Sequence, residues 1–158
     1  MSSSYRIVVG VDGSEGGTRA LRWAVHEAGA RGGTVHAVTA YTLQDLDGFR
    51  MTNPEKQTTV QRMLDTQVTT ALEDNLRVQV TAEVAFGEAP DILTRAVRHA
   101  DLLVLGSHGH GRLFHAVLGS VAESCIRTAT APVVVVPVPR TDKAGTHHTP
   151  SGIPSATL

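Results

Sequence analysis

The chain has 158 residues, 41% of them hydrophobic and 4% aromatic, enough for one domain with a core filled by aliphatic side chains. Fourteen basic residues against fifteen acidic ones leave a net charge of −1, with no block of like charge, which argues against a nucleic-acid partner or an anionic membrane. The lone Cys125 excludes an internal disulfide and suits a reducing compartment. No run approaches the roughly 18 apolar residues that span a bilayer, and no signal pattern precedes Tyr5, so a cytoplasmic protein is expected.

Tyr5 to Val11 is β-branched and apolar, and Asp12-Gly13-Ser14 ends it, which predicts a buried strand. Leu21, Ala24, Val25 and Ala28 recur at helical spacing between Thr18 and Ala30, and Gly32-Gly33 closes that helix. Thr34 to Tyr41 is a second strand, followed by a polar stretch with Gly48, Asn53 and Pro54 that is expected to be a mobile loop. A long helix is predicted from about Pro54 to Leu76, with Val60, Met63, Leu64, Val68, Ala71, Leu72 and Leu76 as its apolar face. Val78 to Phe86 alternates as a third strand, and Pro90-Asp91 opens a third helix carrying Ile92, Leu93, Ala96 and Val97. Leu102 to Leu105 is strand four, Ser120 to Thr130 helix four and Val133 to Val136 strand five. Five short apolar strands alternating with four helices predict an α/β fold, a parallel sheet covered on both faces. The segment after residue 139 is polar and rich in Pro, Gly and Thr, so the domain is placed at 1–139 and a disordered tail at 140–158.

The segment GSHGHGRLFHAVLGS, residues 106 to 120, joins strand four to helix four. Its glycines let backbone N–H groups approach a ligand, and the following helix start adds unpaired donors and a partial positive charge, a site for an anion such as phosphate. It is neither G-x-x-x-x-G-K-[ST] nor G-x-G-x-x-G, because Phe114 occupies the third glycine position after Gly109 and Gly111. In an open parallel sheet the ligand lies beyond the carboxyl ends of the strands where the strand order reverses, which makes Asp12 after strand one and Gly106 after strand four two walls of one crevice.

Gly-Val-Asp-Gly-Ser after strand one, together with Gly106-x2-Gly109-x9-Gly119-Ser120 after strand four and the Ala-Pro-Val-Val-Val-Val ending at 131–136, resembles the universal stress protein family over about residues 5 to 138. The G-2x-G-9x-G-[ST] spacing is that of its ATP-binding branch. The resemblance implies a Rossmann-like, adenine nucleotide alpha hydrolase-like fold with strand order 3-2-1-4-5, ATP with Mg²⁺ or Mn²⁺ carried by its phosphates, a homodimer, and a regulatory role in stress response through an unidentified downstream protein. Carried over residue by residue, Asp12 contacts the ribose and adenosine side, bordered by Gly10 and Val11, and Ala37 lies against adenine. Gly106 approaches the ribose, Gly109, Gly111, Arg112, Gly119, Ser120 and Val121 surround the triphosphate, and Ser107 and His108 between them are counted among the nucleotide-binding residues. Leu113 stands where the family often carries a further glycine. Strand five, Val133 to Val138, is last in that order, an edge that a twofold copy would pair and that Pro137 and Pro139 keep from further addition.

Each assignment has a plainer alternative. Ser120-Val121-Ala122-Glu123 is also a capping box, Asp12 a turn or N-cap residue, and Arg112 an ordinary loop cation. His108, His110 and His115 lack the fixed spacing and acidic or thiolate company of a metal site, and Cys125 reads as a small buried hydrophobe. The function expected is nucleotide-dependent regulation with absent or very slow turnover. The alternatives are a slow ATPase or nucleotidyl- or phosphotransferase, and a dimeric scaffold that binds no ligand.

Overall fold

The computed structural model describes residues 4–43, 53–73, 75–109 and 118–139. Strands β1 (Arg6–Gly10), β2 (Thr34–Tyr41), β3 (Gln79–Phe86), β4 (Leu102–Gly106) and β5 (Val133–Val136) form one parallel sheet in the order β3-β2-β1-β4-β5. Helices α1 (Glu15–Arg31), α2 (Asn53–Leu72), α3 (Ala89–Ala96) and α4 (Ser120–Thr128) connect them, with a 3₁₀ turn at Val97–His99.

The strands sort their side chains by parity, as a pleated sheet requires. Ile7, Val9, Val35, Ala37 and Val104 pack with Leu21, Ala24 and Val25 of α1 and Leu64 and Ala71 of α2. Val8, Val38, Leu103 and Leu105 pack with Ile92 and Leu93 of α3 and Ala122 and Cys125 of α4 on the other face. The central strands β1 and β4 are therefore apolar at nearly every position, as the sequence run of each requires.

Three helix limits differ from the sequence expectation. Helix α1 begins at Glu15 rather than Thr18, because the Ser14 hydroxyl caps it by accepting from the Gly17 N–H. Its other end is as expected, with Gly32 at φ 66° donating to the Ala28 carbonyl. Helix α2 stops at Leu72, four residues early. Asn75 N–H turns back to the Leu72 carbonyl, and Leu76, expected on the buried face, is 84% exposed. Helix α4 stops at Thr128, ahead of the Pro132 that leads into β5. The predicted loop before α2 and the predicted tail fall largely on 44–52 and 140–158, outside the described residues; Asn53 and Pro54, expected in that loop, are the first two residues of α2.

Candidate functional site

The sheet order reverses between β1 and β4, where one neighbour leads back toward β3 and the other on toward β5. A cleft of about 660 Å³ opens there, beyond the carboxyl ends of the strands, within the range of about 300–1,000 Å³ usual for ligand sites. Gly10, Val11 and Asp12 line it from the end of β1, Gly106, His108 and Gly109 from the end of β4, and Gly119, Ser120 and Val121 from the start of α4.

The turn after β1 is fixed by its own side chains. Gly13 takes φ 83°, a left-handed conformation suited to glycine. The Asp12 Oδ1 accepts from the Ser14 N–H at 3.0 Å and from the Ser14 hydroxyl at 2.5 Å. The Val11 N–H donates to the Val38 carbonyl at 2.9 Å, and the buried Thr39 hydroxyl donates to the Val11 carbonyl at 2.7 Å. Asp12 thus stands two residues before the cap, and Ser14 is the cap itself.

Close packing joins this turn to the loop after β4. A Cβ on Gly109 would stand 2.5 Å from the Asp12 Oδ2, and one on Gly106 would stand 2.7 Å from the Gly16 carbonyl carbon. A Cβ on Gly16 would collide with the His108 carbonyl oxygen. The Gly16 and Gly106 approaches are to backbone atoms and only glycine permits them, whereas Gly109 approaches the end of the Asp12 side chain, so the two distant segments are brought together chiefly by the missing side chains of Gly16 and Gly106.

At the far wall α4 starts without a side-chain cap. Its N-cap is Gly119, whose N–H donates to the Ser107 carbonyl at 2.6 Å, and Ser120 is the first helical residue. The capping-box alternative for Ser120 is therefore corrected: the cap lies one residue earlier, and the Glu123 carboxylate pairs with Arg127 at 2.5 Å instead of reaching back. The helix start, with its partial positive charge, faces the cleft through Gly119 to Ala122.

The remaining expected residues separate. Ala37 is fully buried in the core beneath α1 and α2 and does not line the cleft. Its register partner is Val9, whereas Gly10, which does line the cleft, pairs with Val38. The wall on the β2 side accordingly runs from Val38 to Thr42, just past the end of the strand. Ser107 is buried outside the lining, its hydroxyl 3.0 Å from His108 Nδ1. Gly111, Arg112, His110 and His115 lie outside the described residues. Cys125 is fully buried, and burial raises its thiol pKa.

Several lining residues were missed by sequence reasoning. Gly17 lines the cleft beside Asp12, and the signal for it was the Gly16-Gly17 pair in the first turn of a helix, a poor place for glycine on propensity alone. Lys56, Val60 and Met63 of α2 line it too, although Met63 read as core. Glu88, Ala89 and Pro90 supply the wall after β3. Among the described residues no helix is long and apolar enough to cross a membrane.

Sheet order, strand ends and glycine packing together define a doubly wound α/β protein with a cleft at its switch point. Residues 4–137 match the model of the universal stress protein family, and the chain belongs to that family. A universal stress protein of Mycobacterium tuberculosis is 31% identical over 150 residues, covering 83% of this chain and 47% of its own length. The chain thus spans about half the length of the curated relatives it matches. The crystal structure of a universal stress protein in complex with cAMP superposes with a TM-score of 0.67 at 25% identity, covering 85% of this chain and 98% of that one. A universal stress protein from Archaeoglobus fulgidus gives 0.64 at 28% identity, over 83% and 92%.

Proposed function

We propose that this protein binds an adenine nucleotide, ATP with Mg²⁺ or Mn²⁺ carried by its phosphates, and that occupancy sets its conformation or choice of partner in a stress response. The observation that carries this reading is the close approach of Gly109 to the Asp12 carboxylate in a cleft whose far wall is the uncapped start of α4. A carboxylate accepts from ribose hydroxyls, and backbone N–H groups at a helix start donate to phosphate oxygens, so one ligand with both groups satisfies both walls. Family membership supports the reading, as does the cAMP complex described for a neighbour at 25% identity. Gly111 and Arg112 belong to the same proposed phosphate wall. The assembly proposed is a homodimer paired through β5.

Titration calorimetry of ATP·Mg²⁺ against the wild type and Gly109→Asp tests this. The new carboxylate would stand against the Asp12 carboxylate and in the space of the phosphates. Loss of about two charge-assisted hydrogen bonds, each roughly 1.5–3 kcal/mol, predicts binding weaker by about two to four orders of magnitude. Equal affinities would remove the basis of the reading.

A further inference from the structure

Lys56 occupies the first turn of α2 and is 3% exposed. Lysine is seldom buried so deeply unless its ammonium is paired, because desolvating the charge is costly. Its Nζ has no hydrogen-bond partner among the described residues. A neighbouring group is the Tyr41 ring, whose centroid lies 5.9 Å away, and one aromatic face leaves the three N–H donors unused. Lys56, Val60 and Met63 stand at i, i+4 and i+7, one face of the helix, and all three line the cleft together with Tyr41. This part of the cleft is an apolar slot with one donor-only cation in it.

The slot is on the β2 side. The glycine wall is on the β4 side, and β1 runs between the two, so two strand spacings, roughly 10 Å, separate them. A nucleotide with its phosphates at the glycine wall therefore carries its base toward Lys56. A heteroaromatic ring suits the apolar lining, and its ring nitrogens are acceptors for an ammonium.

We propose that Lys56 reads the base, its ammonium donating to an acceptor atom on the edge of the purine ring. This rests on the nucleotide reading of the cleft and adds to it a specificity-determining side chain on the opposite wall from the glycines. The lysine, without a hydrogen-bond partner among the described residues, is then held for the ligand, and its burial is a cost to the empty protein that binding offsets.

The test is calorimetry of ATP and of adenosine against the wild type, Lys56→Met and Lys56→Arg, with thermal unfolding of each protein free of ligand. Lys56→Met is expected to weaken ATP and adenosine alike by about 10- to 100-fold, the usual range for one charge-assisted hydrogen bond, and Lys56→Arg to recover part of the loss. The ligand-free midpoint of Lys56→Met is expected to equal or exceed that of the wild type, since an apolar chain of similar length replaces an unpaired buried charge. Unchanged adenosine binding overturns the inference, and if ATP alone is weakened Lys56 is a phosphate contact instead. A lower midpoint, or failure of Lys56→Met to fold, also overturns it by making the lysine structural. A wild type that binds neither ligand overturns the nucleotide reading and this inference with it.

Discussion

Gly16→Ala is the sharpest perturbation of the packing that builds the cleft. In an ordinary helix the change would stabilise by about 1 kcal/mol, since alanine is the better helix former. Here the new Cβ meets the His108 carbonyl oxygen, a backbone atom that cannot rotate away as a side chain can. Gly29 provides the control in the same helix. Its Cβ would meet the Asn75 amide nitrogen, the far end of a side chain, with Val78 Cγ2 at an ordinary 3.4 Å. Comparing the two variants largely cancels the propensity gain and leaves the overpacking cost, about 1–3 kcal/mol. For a chain of this size that is a difference of roughly 3–10 °C in unfolding midpoint, Gly16→Ala being the lower. Because relief of the clash moves the His108 carbonyl away from α1, Gly109 also leaves Asp12, and nucleotide affinity falls in Gly16→Ala while Gly29→Ala keeps it. Differential scanning calorimetry and ligand titration read both effects. Equal midpoints with equal affinities would refute the claim that missing side chains hold the two walls together.

Much of the fold was legible because each structural level repeats the same message. Ile7-Val8-Val9 and Leu102-Leu103-Val104-Leu105 are apolar at consecutive positions, and both faces of β1 and β4 are indeed covered. The spacing of Gly106, Gly109 and Gly119 likewise announced three lining residues. Pattern failed where one position answers to two demands. Met63 lies on a helix face that serves both core and cleft, so its spacing described the packing and concealed the lining. Ala37 was misplaced by a single register step, because the depth at which a strand leaves the core depends on its pairing with β1, which no local pattern records. Lys56 carried no signal at all: a lysine in the first turn of a helix is ordinarily solvated, and only the tertiary fold buries it. Leu76 shows the reverse error, an apolar residue in helical phase that falls beyond the turn ending α2.

Two further predictions concern the β4–β5 half of the sheet, one its α4-covered face and one its edge. Cys125 is fully buried and its thiol pKa is raised by desolvation, so it is expected to react with a thiol reagent only as fast as the protein opens. The folded chain also keeps this proton at a pH where the unfolded chain loses it. Stability is therefore fully present below the unfolded thiol value and falls as pH rises above it. Cys125→Ala is expected to flatten that alkaline decline in urea unfolding, and an unchanged slope would contradict the assignment. The second concerns β5, which pairs with β4 on one side and ends the sheet on the other. All four of its valines are only half-buried in the single chain, and Val138 just beyond is 49% exposed. Edge strands of this composition invite pairing, and a twofold copy would both satisfy the outer backbone groups and cover the valines. Light scattering at tens of micromolar is expected to give twice the chain mass, and Val135→Lys to give the single mass, because a charge on that face would have to be buried at the dimer interface. A monomeric wild type, or a Val135→Lys variant that stays dimeric, would show that the edge is left open or that the subunits meet elsewhere.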